Sequence, residues 1–195
     1  LLRLKRHMEE KGFSAVAVNA GPTLTYLTGL RFHLMERPVV VVLTPTGDPT
    51  IILPELEQAK LAHLPFPAQV YAYGERPAEW SRAFGDALDM LNLAGGTVGV
   101  EPRQLRLLEY EYLRLAGADA DFTDGSELFA ALRSIKDGEE ITCIRKAVEI
   151  AEAALEATLP LVKIGMAEKD IAGELFLQLI RHGSETSLPF SPIVA

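Results

Sequence analysis

A run of five aliphatic residues, Val39-Val40-Val41-Val42-Leu43, restricts the fold more than any other feature of the sequence. β-Branched residues at both odd and even positions predict a strand that is covered on both faces, because side chains alternate sides along a strand. The turn-forming residues 44–49 follow, and residues 50–53 are predicted to return as the second strand of a hairpin. We therefore expect this hairpin to lie inside a layered protein.

Strands and helices alternate along the first two thirds of the chain. Residues 15–18, 69–73, 97–100 and 118–122 predict further strands. Apolar residues at helical spacing predict one helix that ends at Gly12, a long helix from Trp80 to Leu91, and a third between Leu105 and Leu115. Strands that are repeatedly followed by helices indicate an α/β layered domain.

The pattern becomes almost wholly helical near Arg133. Asp137-Gly138-Glu139-Glu140 has the form of a helix-capping box, and an apolar stripe behind it predicts a long helix that Pro160 ends or kinks. A second helix is predicted to stop at Gly183, and residues 189–195 form an apolar, strand-like run. We therefore expect two domains, residues 1–131 and residues 132–195.

The second predicted domain has too few elements to cover its own apolar stripes. Two helices and a short strand leave apolar surface that needs a partner, and exposed patches beyond a few hundred Å² are rare on monomers. We therefore expect that the chain is part of a longer protein. In isolation it should self-associate, or its last 60 or so residues should pack poorly.

Composition narrows the classes of partner. The chain has 19 Lys and Arg against 27 Asp and Glu, a formal net charge of −8, which argues against binding to nucleic acids or anionic membranes. No apolar run approaches the ~18 residues that a membrane span requires, and the first residues do not resemble a signal peptide. Cys143 is the single cysteine, so an internal disulfide is excluded and a cytoplasmic location is expected.

A search for catalytic chemistry gives only weak candidates. No two of the four histidines have metal-ligand spacing, and Cys143 is predicted to be a packed core thiol. The segment 95–99 is rich in glycine but precedes a strand, whereas phosphate-binding loops connect a strand to a following helix. Residues 31–37 form the one loop that combines aromatic, basic, acidic and imidazole groups, and Arg31, His33 and Arg37 are its candidate site residues.

Five segments, in order along the whole chain, resemble the creatinase, prolidase and aminopeptidase P family. Tyr26-Leu27-Thr28-Gly29 and Val98-Gly99-Val100-Glu101 are similar to segments of its N-terminal domain. Leu132-Arg133-Ser134-Ile135-Lys136-Asp137, followed by Glu140-Ile141, resembles the R-x-x-K-x-x-x-E-I junction that opens its "pita-bread" catalytic domain. The segments from Gly165 to Ala172 and from Phe190 to Ala195 resemble its G-M-T-E-x-D-I-A helix start and its F-x-P-I-V-A strand. Ala167 departs from the family pattern, which usually has a capping threonine there.

The resemblance implies a fold and an activity. The fold would be a ribonuclease-H-like mixed sheet flanked by helices, followed by the first helices of a pita-bread α+β domain. The whole protein would be a homodimeric hydrolase that cleaves Xaa-Pro bonds in short proline-containing peptides, as a dipeptidase or an aminopeptidase. Two divalent ions (Mn, Co or Zn), held by two Asp, one His and two Glu, would activate a hydroxide.

None of those five ligands maps onto this chain, because in the family they follow the strand at which the sequence stops. The resemblance thus implies that the 195-residue chain alone is inactive and serves dimerisation and substrate access. In such a role Arg31 or Arg37 could bind the carboxylate of a short peptide, and a structural ion pair is the competing interpretation. Two alternatives for the whole protein stay open, a creatinase-like amidinohydrolase and a metal-free relative that binds proteins.

Overall fold

A six-stranded mixed sheet forms the centre of the first of two units in this computed structural model, which describes residues 1–194. This unit is Leu1–Ser134, and the second begins at Ile135. The strands are β1 (Ala15–Asn19), β2 (Val40–Leu43), β3 (Thr50–Pro54), β4 (Gln69–Tyr73), β5 (Thr97–Val100) and β6 (Asp121–Asp124). Their order across the sheet is β4-β3-β2-β1-β5-β6, and only the β2 pairings with β1 and β3 are antiparallel. Five strands therefore end at one edge of the sheet, the carboxyl edge, and β2 begins there.

Five α-helices and one 3₁₀ helix accompany the sheet in the first unit. They are α1 (Leu2–Lys11), α2 (Pro22–Thr28), the 3₁₀ helix Glu55–His63, α3 (Pro77–Leu91), α4 (Leu107–Ala116) and α5 (Ser126–Ser134). Sequence periodicity predicted α1, α3 and α4 within two or three residues of these bounds. It missed the 3₁₀ helix, α2 and α5; at the start of α2, Gly21-Pro22 is typical of turns as well as of a helix whose first residue is proline.

Two apolar cores lie on opposite faces of the sheet. Val41, Leu43, Ile51 and Leu53 belong to one core, which α1, α2 and α5 complete with residues such as Leu4, Leu24 and Phe129. Val40, Val42 and Ile52 belong to the other, together with Phe84 of α3 and Leu113 of α4. The aliphatic run is thus covered on both faces, which confirms the prediction made from its sequence.

The second unit is helical over its described residues. It contains α6 (Gly138–Thr158), the 3₁₀ turn Leu159–Leu161 and α7 (Glu168–Arg181), and α6 packs against α7. Asp137 and Glu140 form the predicted capping box, since the Glu140 amide donates to Asp137 Oδ1 at 3.0 Å and the Asp137 amide donates to Glu140 Oε2 at 2.7 Å.

Two predictions for the second unit are wrong. Cys143 is exposed and not a core thiol, because α6 buries only Ala154 and Thr158, near its C-terminal end. Residues 190–194 do not form a strand, since no other described residue of this unit is in a strand that could pair with them. Ala195, the last residue of that predicted run, lies outside the described residues.

Candidate functional site at the carboxyl edge

Residues 31–37 connect α2 to β2 and approach the carboxyl edge of the sheet. They do so because β2 runs opposite to its neighbours and begins where the other strands end. None of these residues is in a helix or a strand. Their backbone therefore relies on contacts from elsewhere to satisfy its polar groups.

Side chains from three different elements donate hydrogen bonds to backbone carbonyls of this connection. Lys60 Nζ, in the 3₁₀ helix, donates to the Arg31 carbonyl at 3.1 Å. Arg106 Nη1, at the start of α4, donates to the Met35 carbonyl at 2.5 Å. The hydroxyl of Tyr73, at the end of β4, donates to the carbonyl of Pro38. The segment 31–37 is thus held at both ends and near its middle.

Arg37 is held in a group of carboxylates. Its guanidinium lies 2.5 Å from Glu75 Oε2 and 3.3 Å from Glu36 Oε1, and Glu75 is the second residue after β4. The hydrogen bond to Glu75 raises the pKa of Arg37 above its ordinary value. A peptide carboxylate that reached this side chain would therefore have to compete with Glu75.

Arg31 and His33 lie at the exposed part of the same segment. Lys60, which donates to the Arg31 carbonyl, also places its ammonium 5.0 Å from the ring centroid of Phe32. The His33 carbonyl accepts a 3.0 Å hydrogen bond from the Met35 amide, which forms a tight bend at the tip. Leu34 and Met35 are exposed there beside His33. The three candidate residues therefore share one segment but have three different environments.

A buried ion pair that was not predicted from the sequence contacts this segment. Arg106 precedes α4, and Glu109 lies in the first turn of that helix with a side chain that is 0% exposed. Arg106 Nε lies 3.0 Å from both carboxylate oxygens of Glu109, and Nη2 donates to Glu109 Oε1. The available signal was an Arg and a Glu three residues apart, which sequence alone cannot distinguish from an ordinary surface pair.

A second polar group at the same edge surrounds Glu101, which directly follows β5. Thr23 Oγ1 of α2 donates to Glu101 Oε1 at 2.7 Å, and Asn19 Nδ2 at the end of β1 donates to the Gln104 carbonyl at 2.9 Å. Burial raises the pKa of Glu101, although the Thr23 hydrogen bond and the charge of Arg133 act in the opposite direction. The Thr23 contact joins α2 to the residue after β5, and the Asn19 contact joins the end of β1 to the segment that follows β5.

The described residues do not fit a two-metal site. Among residues 1–194, no group of three or more His, Cys, Asp or Glu side chains could hold a metal ion. Of the histidines, His7 is paired with Glu10 at 3.2 Å and His182 Nδ1 lies 2.8 Å from the Gln178 carbonyl oxygen. Within the same residues, none of the helices is both long and apolar enough to cross a membrane.

A family profile described as the creatinase/prolidase N-terminal domain matches residues 1–135. The chain belongs to this family. The match covers the sheet, both of its cores and the whole carboxyl edge. It confirms the family resemblance and the mixed sheet flanked by helices that the resemblance implied.

Known proteins of similar sequence and structure extend well beyond this chain. A Xaa-Pro dipeptidase from Lactobacillus helveticus is 24% identical over 178 residues, which are 91% of this chain and 48% of that protein. A prolidase from Thermococcus sibiricus superposes with a TM-score of 0.86 at 22% identity, over 98% of this chain and 51% of its own. A dipeptidase from Pyrococcus horikoshii has a TM-score of 0.77 at 30% identity, over 92% and 49%. The chain thus spans about half the length of each of these three relatives.

Proposed function

We propose that this chain is the N-terminal part of a metal-dependent peptidase that hydrolyses Xaa-Pro bonds. The observation that carries the proposal is the match over 91% of this chain to about half of a Xaa-Pro dipeptidase. The structural similarity to a prolidase, again over about half of that protein, supports it. Whether the whole protein acts as a dipeptidase or as an aminopeptidase is part of the test.

In this proposal the chain contains one domain and the start of a second, catalytic domain. Residues 1–131 form the creatinase-like domain, and residues 132–195 are the start of the pita-bread domain. Two divalent ions (Mn, Co or Zn) would be held by residues outside this chain, because the described residues do not fit a two-metal site. No chemical step is therefore assigned to residues 1–194, and the 195-residue chain alone is expected to be inactive.

The N-terminal domain would contribute to dimerisation and to substrate access. Residues 31–37 are the segment best suited to contact a short peptide, because they are fixed in position and carry Arg31, His33 and Arg37. A cation at this position would favour peptides whose C-terminal carboxylate lies close to the scissile bond. The substrates would thus be short proline-containing peptides, and the location would be cytoplasmic.

The bond before proline differs chemically from other peptide bonds and favours a peptidase that is specific for it. An Xaa-Pro bond has no N–H on the proline side, so a peptidase that holds its substrate through that N–H handles the bond poorly. Specificity for this bond has to come instead from the shape of the site and from contacts at the ends of the peptide. The fixed segment 31–37 is a candidate for one such contact.

The test compares the longer protein with the 195-residue chain. Each is assayed with Xaa-Pro dipeptides and tripeptides after loading with Mn, Co or Zn, and again after treatment with a chelator. We expect hydrolysis only by the longer protein and only in its metal-loaded form. Turnover of creatine without peptide hydrolysis would identify the amidinohydrolase alternative, and no turnover of either would favour the protein-binding alternative. Stoichiometric metal with turnover in the 195-residue chain would contradict its expected inactivity.

A further inference from the structure

The guanidinium of Arg106 contacts two groups that are far apart in the sequence. Two of its nitrogens face the carboxylate of Glu109, and Nη1 donates to the Met35 carbonyl at 2.5 Å. A guanidinium is planar and presents its donors in a fixed fork, so fixing one side of the plane fixes the direction of the remaining donor. The carboxylate of Glu109 thereby determines where Arg106 meets the segment 31–37.

Burial distinguishes this ion pair from similar pairs in the first unit. Arg76 pairs with Glu79, and Arg114 pairs with Glu111, also three residues apart on helices, but these arginine side chains are 83% and 51% exposed. Arg106 is 29% exposed and Glu109 is 0% exposed. An exposed pair is free to exchange with water, whereas a fully buried carboxylate is costly to leave without its partner. Arg106 is therefore held in one orientation far more strongly than Arg76 or Arg114.

The contact point of Arg106 lies at the middle of the segment. Lys60 and Tyr73 bind the carbonyls of Arg31 and Pro38 at its two ends, and Arg106 binds that of Met35. Without Arg106 the Met35 carbonyl would lose its side-chain hydrogen-bond donor. The exposed tip, with His33 and Leu34, directly precedes this carbonyl.

We propose that Arg106, oriented by the buried carboxylate of Glu109, is a positioning residue that fixes the tip of the segment 31–37 at the carboxyl edge. The fixed conformation is a property of this chain. Its consequence for peptide recognition, a prearranged contact that lowers KM, rests on the proposed function. Arg106 itself does not have to touch the peptide.

The test replaces the forked guanidinium of Arg106 with a lysine ammonium, which keeps the positive charge. Arg106→Lys retains a cation beside Glu109, but one ammonium cannot bond both carboxylate oxygens and the Met35 carbonyl in the same arrangement. Arg114→Lys is the matched control, because it makes the same change in an exposed pair on the same helix. Amide hydrogen exchange is measured in the 195-residue chain for Met35, whose amide is hydrogen-bonded to the His33 carbonyl, and for the strands β1 and β5.

In the Arg106→Lys variant we expect the Met35 amide, which donates to the His33 carbonyl at the tip, to exchange about tenfold faster, the effect of losing a hydrogen bond that involves a charged donor. The amides of β1 and β5 should be unchanged, and the Arg114→Lys chain should match the unsubstituted one throughout. Unchanged exchange of the Met35 amide in a folded Arg106→Lys chain would overturn the proposal. An equal acceleration in the tip and in the two strands would overturn it as well, because Arg106 would then serve general stability.

A second measurement separates this inference from the proposed function. In the longer, metal-loaded protein, Arg106→Lys should raise KM for a Xaa-Pro dipeptide several-fold and leave kcat unchanged, because a misplaced contact weakens substrate and transition state alike. An unchanged KM would overturn the role in recognition, whatever the exchange result. If the unsubstituted longer protein hydrolyses no Xaa-Pro peptide, the proposed function fails, whereas the exchange result still decides whether Arg106 fixes the tip.

Discussion

Thr23 Oγ1 donates a 2.7 Å hydrogen bond to Glu101 Oε1, and this contact joins α2 to the residue that directly follows β5. Glu101 is half-buried, and its burial raises the pKa of the carboxyl group. The folded chain therefore binds the Glu101 proton more strongly than the unfolded chain does. Stability must then depend on pH through this group.

The sign of that dependence gives the first prediction. Because the pKa of Glu101 is raised on folding, its contribution to stability is fully present below the ordinary glutamate value and is lost as the pH rises through the raised value. Glu101→Gln keeps an acceptor for Thr23 and cannot ionise. We expect this variant to gain free energy of unfolding relative to the original chain as the pH rises, with a slope of at most about 1.4 kcal/mol per pH unit for one proton.

Urea unfolding between pH 4 and pH 8, followed through the fluorescence of Trp80, measures this difference. Trp80 is the single tryptophan and lies in the first unit, as Glu101 does. Glu111→Gln removes one exposed carboxylate of the same unit and controls for the change in net charge. Identical pH profiles for the Glu101→Gln variant and the original chain would show that Glu101 does not titrate with folding.

The glycine-rich segment before β5 gives the second prediction. A Cβ atom on Gly96 would lie 2.8 Å from Ser14 Cβ and 3.0 Å from the Leu93 carbonyl oxygen, so backbone must move to admit it. Close packing between the start of β5 and its neighbours thus explains this glycine without a phosphate. Gly96→Ala should lower the free energy of unfolding by about 1–3 kcal/mol.

Gly85 offers the matched control for that substitution. It lies inside α3, and a Cβ atom there would meet nothing within 4 Å. Gly85→Ala should therefore stabilise the first unit by about 0.5–1 kcal/mol, because alanine favours the helical backbone. Both variants are compared by urea unfolding. If the Gly96→Ala chain has the same free energy of unfolding as the original, the residues around Gly96 move to admit the Cβ atom without loss of stability, which would contradict the prediction.

The layered α/β class and most strands could be predicted from local patterns, whereas α2, α5 and much of the candidate site could not. The aliphatic run before Thr44 indicated a doubly covered strand because burial on both faces leaves a direct mark on composition. Residues 31–37 stood out because their residue types differ from those of the other loops. The orientation of the loop was not visible, because it depends on the antiparallel direction of β2 within an otherwise parallel sheet.

The residues that hold the loop could not be found from sequence. Arg106 and Glu109 have the same spacing as Arg76 and Glu79, and only the packing around α4 makes the first pair buried and the second exposed. For Cys143 the sequence predicted burial, but the side chain is exposed. It lies next to an apolar stripe, but a stripe predicts burial only where a second element covers it, and α6 is exposed around Cys143.

The start of α7 gives the third prediction. Ala167 has the extended backbone of an N-cap residue but no side-chain cap, and its amide donates a 3.2 Å hydrogen bond to Asp170 Oδ2. Ala167→Thr adds a hydroxyl that can accept a hydrogen bond from an amide of the first turn. We expect it to stabilise α7 by about 0.5–1 kcal/mol. Amide exchange in the first turns of α7 should slow several-fold. Ala151→Thr, at an exposed site inside α6, should not slow exchange, and equal results for the two variants would contradict the capping argument.

Arg37 gives the last prediction, which rests on the proposed function and is tested in the longer protein after it is loaded with metal. If Arg37 binds the peptide carboxylate, Arg37→Ala removes a charge-assisted hydrogen bond of about 1.5–3 kcal/mol and raises KM roughly 10- to 100-fold at constant kcat. Glu75 lies 2.5 Å from the same guanidinium and competes with the peptide, so Glu75→Gln should change KM in the opposite direction. Arg76→Ala is the control, because Arg76 is a neighbouring arginine paired with Glu79. KM and kcat of the variants are compared by steady-state kinetics on one Xaa-Pro dipeptide. A KM that is unaffected by both Arg37→Ala and Glu75→Gln would leave Arg37 as a structural ion pair.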